Sequence, residues 1–417
     1  MKNKLLRSLL FWVVVAIILG YICSLFFPDW LARVFVTFNG LFSNFLGFFV
    51  PVLIFALIAP AIAGLGRGAG KWLGITAGVA YGSTIISGLI AWGTASALYP
   101  TLLAGKSLVT DVADPEAGGL TPYFSVEMPP PLEVMSALLL AFVVGLSMTA
   151  VKSDNLYNVL EELNAMVLKV VTTFVIPLLP IYIFGTFLNL GMNENFGDTM
   201  AAMGVVLVLS IVMTLVIVLL QYLVAGAVAG VNPFTALKNM LPAYFTALGT
   251  SSSAATIPVT YESTLKNKVE EEVAGFVVPL CATIHLSGSM MKITLYALSI
   301  VYMASLEISS GQIIGFILLL GIMMIAAPGV PGGAIMAAVG LLQSNLGFDE
   351  SMVSLMIASY IVVDSFGTAA NVTGDGAIAL IVNKLAGGKI KGQQLEGAPS
   401  VESAPDSEPG AGFTAVR

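Results

Sequence analysis

Apolar residues run along this chain in long blocks parted by short polar breaks. A helix needs about 20 largely apolar residues to cross the hydrocarbon core of a bilayer. The pattern predicts such helices near 8–27, 34–64, 72–99, 131–151, 164–190, 199–230, 272–305 and 350–385. Two further apolar blocks, 233–260 and 312–346, are interrupted midway. Gly249-Thr250-Ser251-Ser252-Ser253 breaks the first, and Pro328-Gly329-Val330-Pro331-Gly332-Gly333 breaks the second. Each half is too short to span alone, so the expectation is two re-entrant helical hairpins rather than pairs of ordinary loops. A break at membrane depth survives only where protein or a wet cavity satisfies the freed backbone groups. Paired interrupted segments therefore point to a transport site.

Composition sharpens this picture. Hydrophobic residues make up 57% of the 417 and charged residues 10%, against roughly 25% charged in a soluble domain, so lipid is the solvent. The net charge of −7 draws on the loop at 111–127, the 270–272 run and the C-terminal tail, and says little about a solute. Cys23 and Cys281 both sit in apolar segments, where a thiol behaves as a small hydrophobe, and no disulfide framework follows. The basic start, Met1 to Arg7, precedes an apolar run with no convincing cleavage site near Phe27-Pro28, and reads as a retained first helix. The loop at 100–130 and the tail from about 392 read as solvent segments, the tail as disordered.

Basic residues set an orientation. Lys2, Lys4, Arg7, Arg67, Lys71, Lys152, Lys238, Lys266, Lys268, Lys384, Lys389 and Lys391 fall on one side of the predicted spans, and Arg33 and Lys106 on the other. The positive-inside rule then places both termini in the cytoplasm. The first hairpin is expected to enter from that side and the second from outside.

Ionisable groups inside apolar spans are expensive, so each is a functional candidate. In the last helix Asp364, Thr368, Asn371 and Asp375 follow at i, i+4, i+7 and i+11 and share one stripe. A carboxylate with amide and hydroxyl oxygens suits a partly dehydrated cation or an ammonium group. Hydrogen bonding along a buried polar seam accounts for Thr368 and Asn371 but poorly for two carboxylates. His285, Ser289 and Lys292 repeat the spacing in the preceding predicted helix. Lys292 either neutralises Asp364 or Asp375 internally or meets a solute carboxylate. His285 either relays protons or simply hydrogen-bonds. Ser251, Ser252 and Ser253 offer hydroxyls and N–H groups at a half-helix start, which favours an anion. Together these predict a zwitterion site, with the carboxylate at the hairpins and the ammonium at Asp364. Asp364 and Asp375 lie about 16 Å apart along a helix, too far to act on one bond, and no nucleophile–base or metal constellation appears, so an enzyme is not expected.

At these residues the chain resembles the dicarboxylate/amino acid:cation symporter family, which includes glutamate, aspartate and neutral amino acid transporters. The resemblance is carried by Thr250-Ser251-Ser252-Ser253-Ala254-Ala255-Thr256-Ile257-Pro258-Val259, Pro279 through Gly288, Gly329-Val330-Pro331-Gly332-Gly333-Ala334-Ile335, and Asp364 through Asp375. It implies an all-α membrane protein of eight transmembrane helices plus two re-entrant hairpins, working as an elevator in a homotrimer in the plasma (inner) membrane. Residues 1–231 would form the scaffold, 232–390 the transport core and 391–417 a cytoplasmic tail. Asp364 would hold a substrate amino group with Thr368 and Asn371 beside it. The serine run would bind the α-carboxylate, and Val330, Pro331 and Gly332, on the second hairpin that acts as the outer gate, would join the substrate-binding site. Asp375 and Asn371, with the Cys281 backbone, match a sodium site, and Thr283, His285 and Ser287 flank it as candidates for coupling to sodium or a proton. Membrane lipid is an expected partner, and nucleic acid is not.

The departures bear on the cargo. Acidic-substrate members usually place an arginine where this chain has Gly367, and some carry it on the first hairpin, where this chain has Thr250. The family's Asn-Met-Asp-Gly reads His285-Leu286-Ser287-Gly288, which lacks an asparagine and an aspartate tied to cation binding. This pattern is more like the sodium/serine-threonine branch. The expectation is a symporter for a small neutral amino acid. The rivals are an acidic amino acid or dicarboxylate held by Lys292 and, in a different class, an anion channel or a non-transporting receptor.

Overall fold

The computed structural model describes residues 9–67, 70–108, 120–151, 154–192, 196–327, 329, 331–388 and 390. The expectations placed on the N-terminal lysines and Arg7, on Lys152, Val330, Lys389 and Lys391, and on the tail lie outside the described residues. Among those described, every regular element is helical. Six helical stretches are long and apolar enough to cross a membrane, and two shorter apolar ones, Leu9–Ser24 and Val134–Met148, stand at predicted span positions.

The chain opens with α1 (Leu9–Ser24), α2 (Asp29–Arg67), α3 (Gly70–Leu102) and α4 (Val134–Val151). α5 (Asp154–Val170), a π-turn (Val171–Val175) and α6 (Ile176–Gly191) make one continuous rod, which α7 (Phe196–Ala229) follows. This rod begins ten residues before the span predicted from hydropathy at 164. α5 is amphipathic, with Asp154, Glu161, Glu162 and Lys169 along it, so a search for unbroken apolar residues passes over it. The π-turn ends two residues before Pro177. A proline ring clashes with the carbonyl four residues back, and a widened turn relieves that clash.

α7 shows the lipid-facing logic. Val208, Val212 and Leu215 lie on one face and are about half exposed, as expected for side chains that meet hydrocarbon instead of protein. The other face of α7 packs on the last helix, α15 (Glu350–Ala386). α15 is buried through nearly all of its length and touches α7, both hairpins and the helical segment between them.

Both interrupted segments fold as helical hairpins. The first comprises α8 (Pro233–Asn239), α9 (Leu241–Thr250) and α10 (Ser253–Leu265). Asn232 caps its start by accepting from the Phe234 and Thr235 amides at 3.0 and 3.1 Å. The second comprises α13 (Ser310–Ala326) and α14 (Gly333–Leu346), opened by a reciprocal Ser309–Gln312 capping box. At 1.5 Å per residue the arms α9, α10, α13 and α14 run about 15–25 Å, short of the roughly 30 Å hydrocarbon core.

One expectation is corrected. The span predicted as continuous over 272–305 is two helices, α11 (Glu271–Ile284) and α12 (Ser287–Met303), parted at His285 and Leu286 in extended or irregular backbone. The i, i+4, i+7 stripe from His285 to Lys292 therefore does not exist. The break is viable because a side chain from α15 satisfies the freed amides: Asn371 Oδ1 accepts from Gly288 N at 2.8 Å and Ser289 N at 3.3 Å.

Candidate functional site

The hairpin tips and the α11–α12 break converge on the middle of α15. At the first tip, Ser251 closes α9 in the left-handed region (φ 49°), and Ser252 caps α10 by accepting from Ala255 N at 3.3 Å. Ser253 is buried in the first turn of α10. Ser252 Oγ also donates to Gly329 O at 2.9 Å and so joins the two tips. Removing an N-cap hydroxyl costs about 1 kcal/mol. Ser252→Ala should also loosen the tip junction, raising the thiol-labelling rate of an Ala327→Cys reporter severalfold. An unchanged rate would mean that this bond does not hold the tips together.

At the second tip, Pro331 is half-buried, and Gly332 takes a left-handed φ of 75° that a side chain would strain. This turn aims the Gly332 N–H at Asp364 Oδ2, 2.8 Å away. Asp364 Oδ1 lies 3.7 Å from Lys292 Nζ. The ammonium also donates to the carbonyls of Val363 at 3.0 Å and Asp364 at 3.2 Å, and it sits 4.3 Å from the Tyr360 ring centre. Lys292 has no exposed surface. Its aliphatic end fills the space that a side chain on Gly367 would need, since a Cβ there would collide with Lys292 Cε and Nζ. Of the two sequence readings for Lys292, this geometry is that of the internal pair with Asp364.

Thr368 turns back on its own helix and donates to Asp364 O at 3.1 Å. Asn371 spends its oxygen on the α12 amides and donates through Nδ2 to Ser289 Oγ at 3.1 Å, where Tyr360 also donates at 3.0 Å. Three turns below Asp364, Asp375 meets a different partner. Its Oδ1 is 2.9 Å from His285 Nδ1, and both side chains are buried. The far ring nitrogen of His285 faces Ser83 Oγ at 3.1 Å and Gln221 Nε2 at 3.3 Å, and Gln221 also donates to Ser287 Oγ at 2.9 Å. The Cys281 carbonyl accepts the His285 backbone amide at 2.9 Å. Thr283 lies outside this cluster, exposed and bonded to Leu280 O.

The stripe on α15 thus serves two separate centres, a carboxylate–lysine pair under the hairpin tips and a carboxylate–histidine pair at the helix break. Ser83 of α3, Gln221 of α7 and Tyr360 of α15 belong to these centres and were not singled out from sequence. A glutamine inside an apolar span, and a tyrosine one turn before Asp364 on the same face, are the signals that could have found two of them.

Excitatory amino acid transporter 1 of Homo sapiens is 34% identical over 171 residues, which is 41% of this chain and 31% of that protein. Excitatory amino acid transporter 3 of Oryctolagus cuniculus is 36% identical over 155 residues, 37% of this chain and 29% of that protein. The matched stretch spans about a third of these relatives' own length. The pattern of the sodium:dicarboxylate symporter family matches residues 9–385, and the chain belongs to that family.

Proposed function

We propose that this protein is a secondary-active symporter that couples an inward cation gradient, sodium in keeping with the family's name, to the uptake of a small neutral amino acid such as serine, threonine or alanine. The substrate choice rests on Lys292. It is fully buried and committed to Asp364 and the neighbouring carbonyls, so it offers nothing to a second substrate carboxylate. Gly367 supplies no cation in its place. Arg33, the arginine whose side chain is described, donates to Thr121 O and lies over the Tyr123 ring, away from the hairpin tips.

On this reading a solute ammonium takes Asp364 Oδ2, and its carboxylate meets the α10 amides behind Ser252 and Ser253, where the helix dipole favours negative charge. Residues 1–231 act as scaffold and 232–390 as the moving core of a homotrimeric elevator. Asp375 and Asn371, with the Cys281 backbone, stand beside the coupling centre. The Gln221 Oε1 atom there is buried without a hydrogen-bond partner, an oxygen acceptor of the kind a sodium ion takes. The rival reading, a dicarboxylate or acidic amino acid, is favoured by the family's name and requires Lys292 to turn out of its pocket.

Purified protein in liposomes, given labelled serine, alanine, aspartate and succinate under a sodium gradient, a proton gradient or neither, separates these readings. Sodium-driven accumulation of serine or alanine is expected. Accumulation of aspartate or succinate would overturn the neutral-substrate assignment. Binding without accumulation would indicate a receptor, and anion current without a solute gradient a channel.

A further inference from the structure

Lys292 and Asp364 pose a question of charge that binding a neutral amino acid leaves open. A carboxylate buried at membrane depth is costly unless it has a counter-charge. A zwitterion brings that charge in its ammonium group and takes it away on release. The carrier must then return with Asp364 still buried.

The chain's own groups meet this need. Asp364 is 6% exposed with the hairpin tips joined, its Oδ2 held by the Gly332 N–H and its Oδ1 facing the Lys292 ammonium. Two of the three N–H groups of that ammonium are fixed by the Val363 and Asp364 carbonyls, and Tyr360 flanks it. The group is therefore anchored behind the carboxylate, on the side away from Gly332. It neutralises Asp364 without occupying the face at which a solute amine would arrive.

We propose that Lys292 is a tethered counter-ion for the unloaded carrier, a positioning residue that balances the charge of Asp364 so that the closed, empty transport core can return across the membrane. The loaded core does not depend on it in the same way, because the solute ammonium supplies the second charge at Asp364. The ammonium takes no part in recognising substrate. This proposal rests on the reading that Asp364 receives a solute ammonium.

Net uptake requires the empty return, whereas exchange of internal for external solute does not. Both rates are measured in liposomes for the parent protein, Lys292→Met and Lys292→Gln, the last of which keeps donors for the carbonyls without the charge. Radiolabelled L-serine is the probe, with L-aspartate and succinate run alongside. Net uptake should fall by more than about tenfold, since the buried carboxylate loses its counter-charge, while exchange stays close to parental and serine raises the melting midpoint more than in the parent. A parallel fall of both rates, or no change in either, would overturn the proposal. So would failure of both variants to fold even with saturating serine, because that places the ammonium in every state. Aspartate uptake in place of serine by the parent protein would refute the neutral-substrate assignment while leaving this test intact with aspartate as probe. Succinate uptake would refute both, since succinate has no ammonium.

Discussion

Asp364→Asn should abolish accumulation and also lower stability, and the second effect separates a buried pair from a simple binding residue. The substitution leaves the Lys292 ammonium fully buried with carbonyls and a ring for company. Stranding one member of a buried ion pair costs roughly 3–5 kcal/mol, whereas removing both members is often close to neutral. The double variant Asp364→Asn with Lys292→Met should therefore regain most of the lost melting midpoint in detergent while uptake stays at background. Thermal unfolding of the parent, both single variants and the double variant closes a cycle whose coupling term is the quantity of interest. If the four midpoints are additive, the two side chains do not act as a unit.

Gly288→Ala should be nearly as damaging, although it adds one methyl group and touches no ionisable residue. A Cβ at Gly288 would lie 2.5 Å from the carbonyl oxygen of Gly367 and 2.8 Å from Ala370 Cβ. The first of these is backbone in the middle of a buried helix and has nowhere to go. α12 and α15 would have to part, which costs about 1–3 kcal/mol where packing is tight. The Asn371 bond to the Gly288 amide would stretch at the same time. Uptake should drop to a small fraction of the parent's, with a lowered melting midpoint. Parental uptake with an unchanged midpoint would show that the crossing is looser than described.

Much of this arrangement was legible in the residues. Hydropathy located the membrane segments because lipid tolerates few charges. The Gly and Pro punctuation at 249–253 and 328–333 located both hairpin tips, since those residues interrupt helices. The period of α15 correctly put Asp364, Thr368, Asn371 and Asp375 along one face. Periodicity failed at His285 because nothing local marks the break there. It is stabilised by Asn371, a residue 83 positions from Gly288, and pairings at such range leave no trace in a window of neighbours. The same holds for Ser83 and Gln221, which reach the histidine from two other helices. Spacing alone left Lys292 open to Asp364, Asp375 or a solute carboxylate. The close approach of α12 to α15 at two glycines decided for Asp364.

The contest for space at Gly367 also limits how this protein can change. A side chain at position 367 cannot be accommodated while Lys292 fills the same pocket, so an arginine there is not a one-step innovation. Lys292 must shorten first, and Asp364 would then pass through an intermediate without its internal partner. A route through position 367 toward a differently charged cargo thus has a fixed order and a weakened midpoint, which makes the present pairing an evolutionary ratchet.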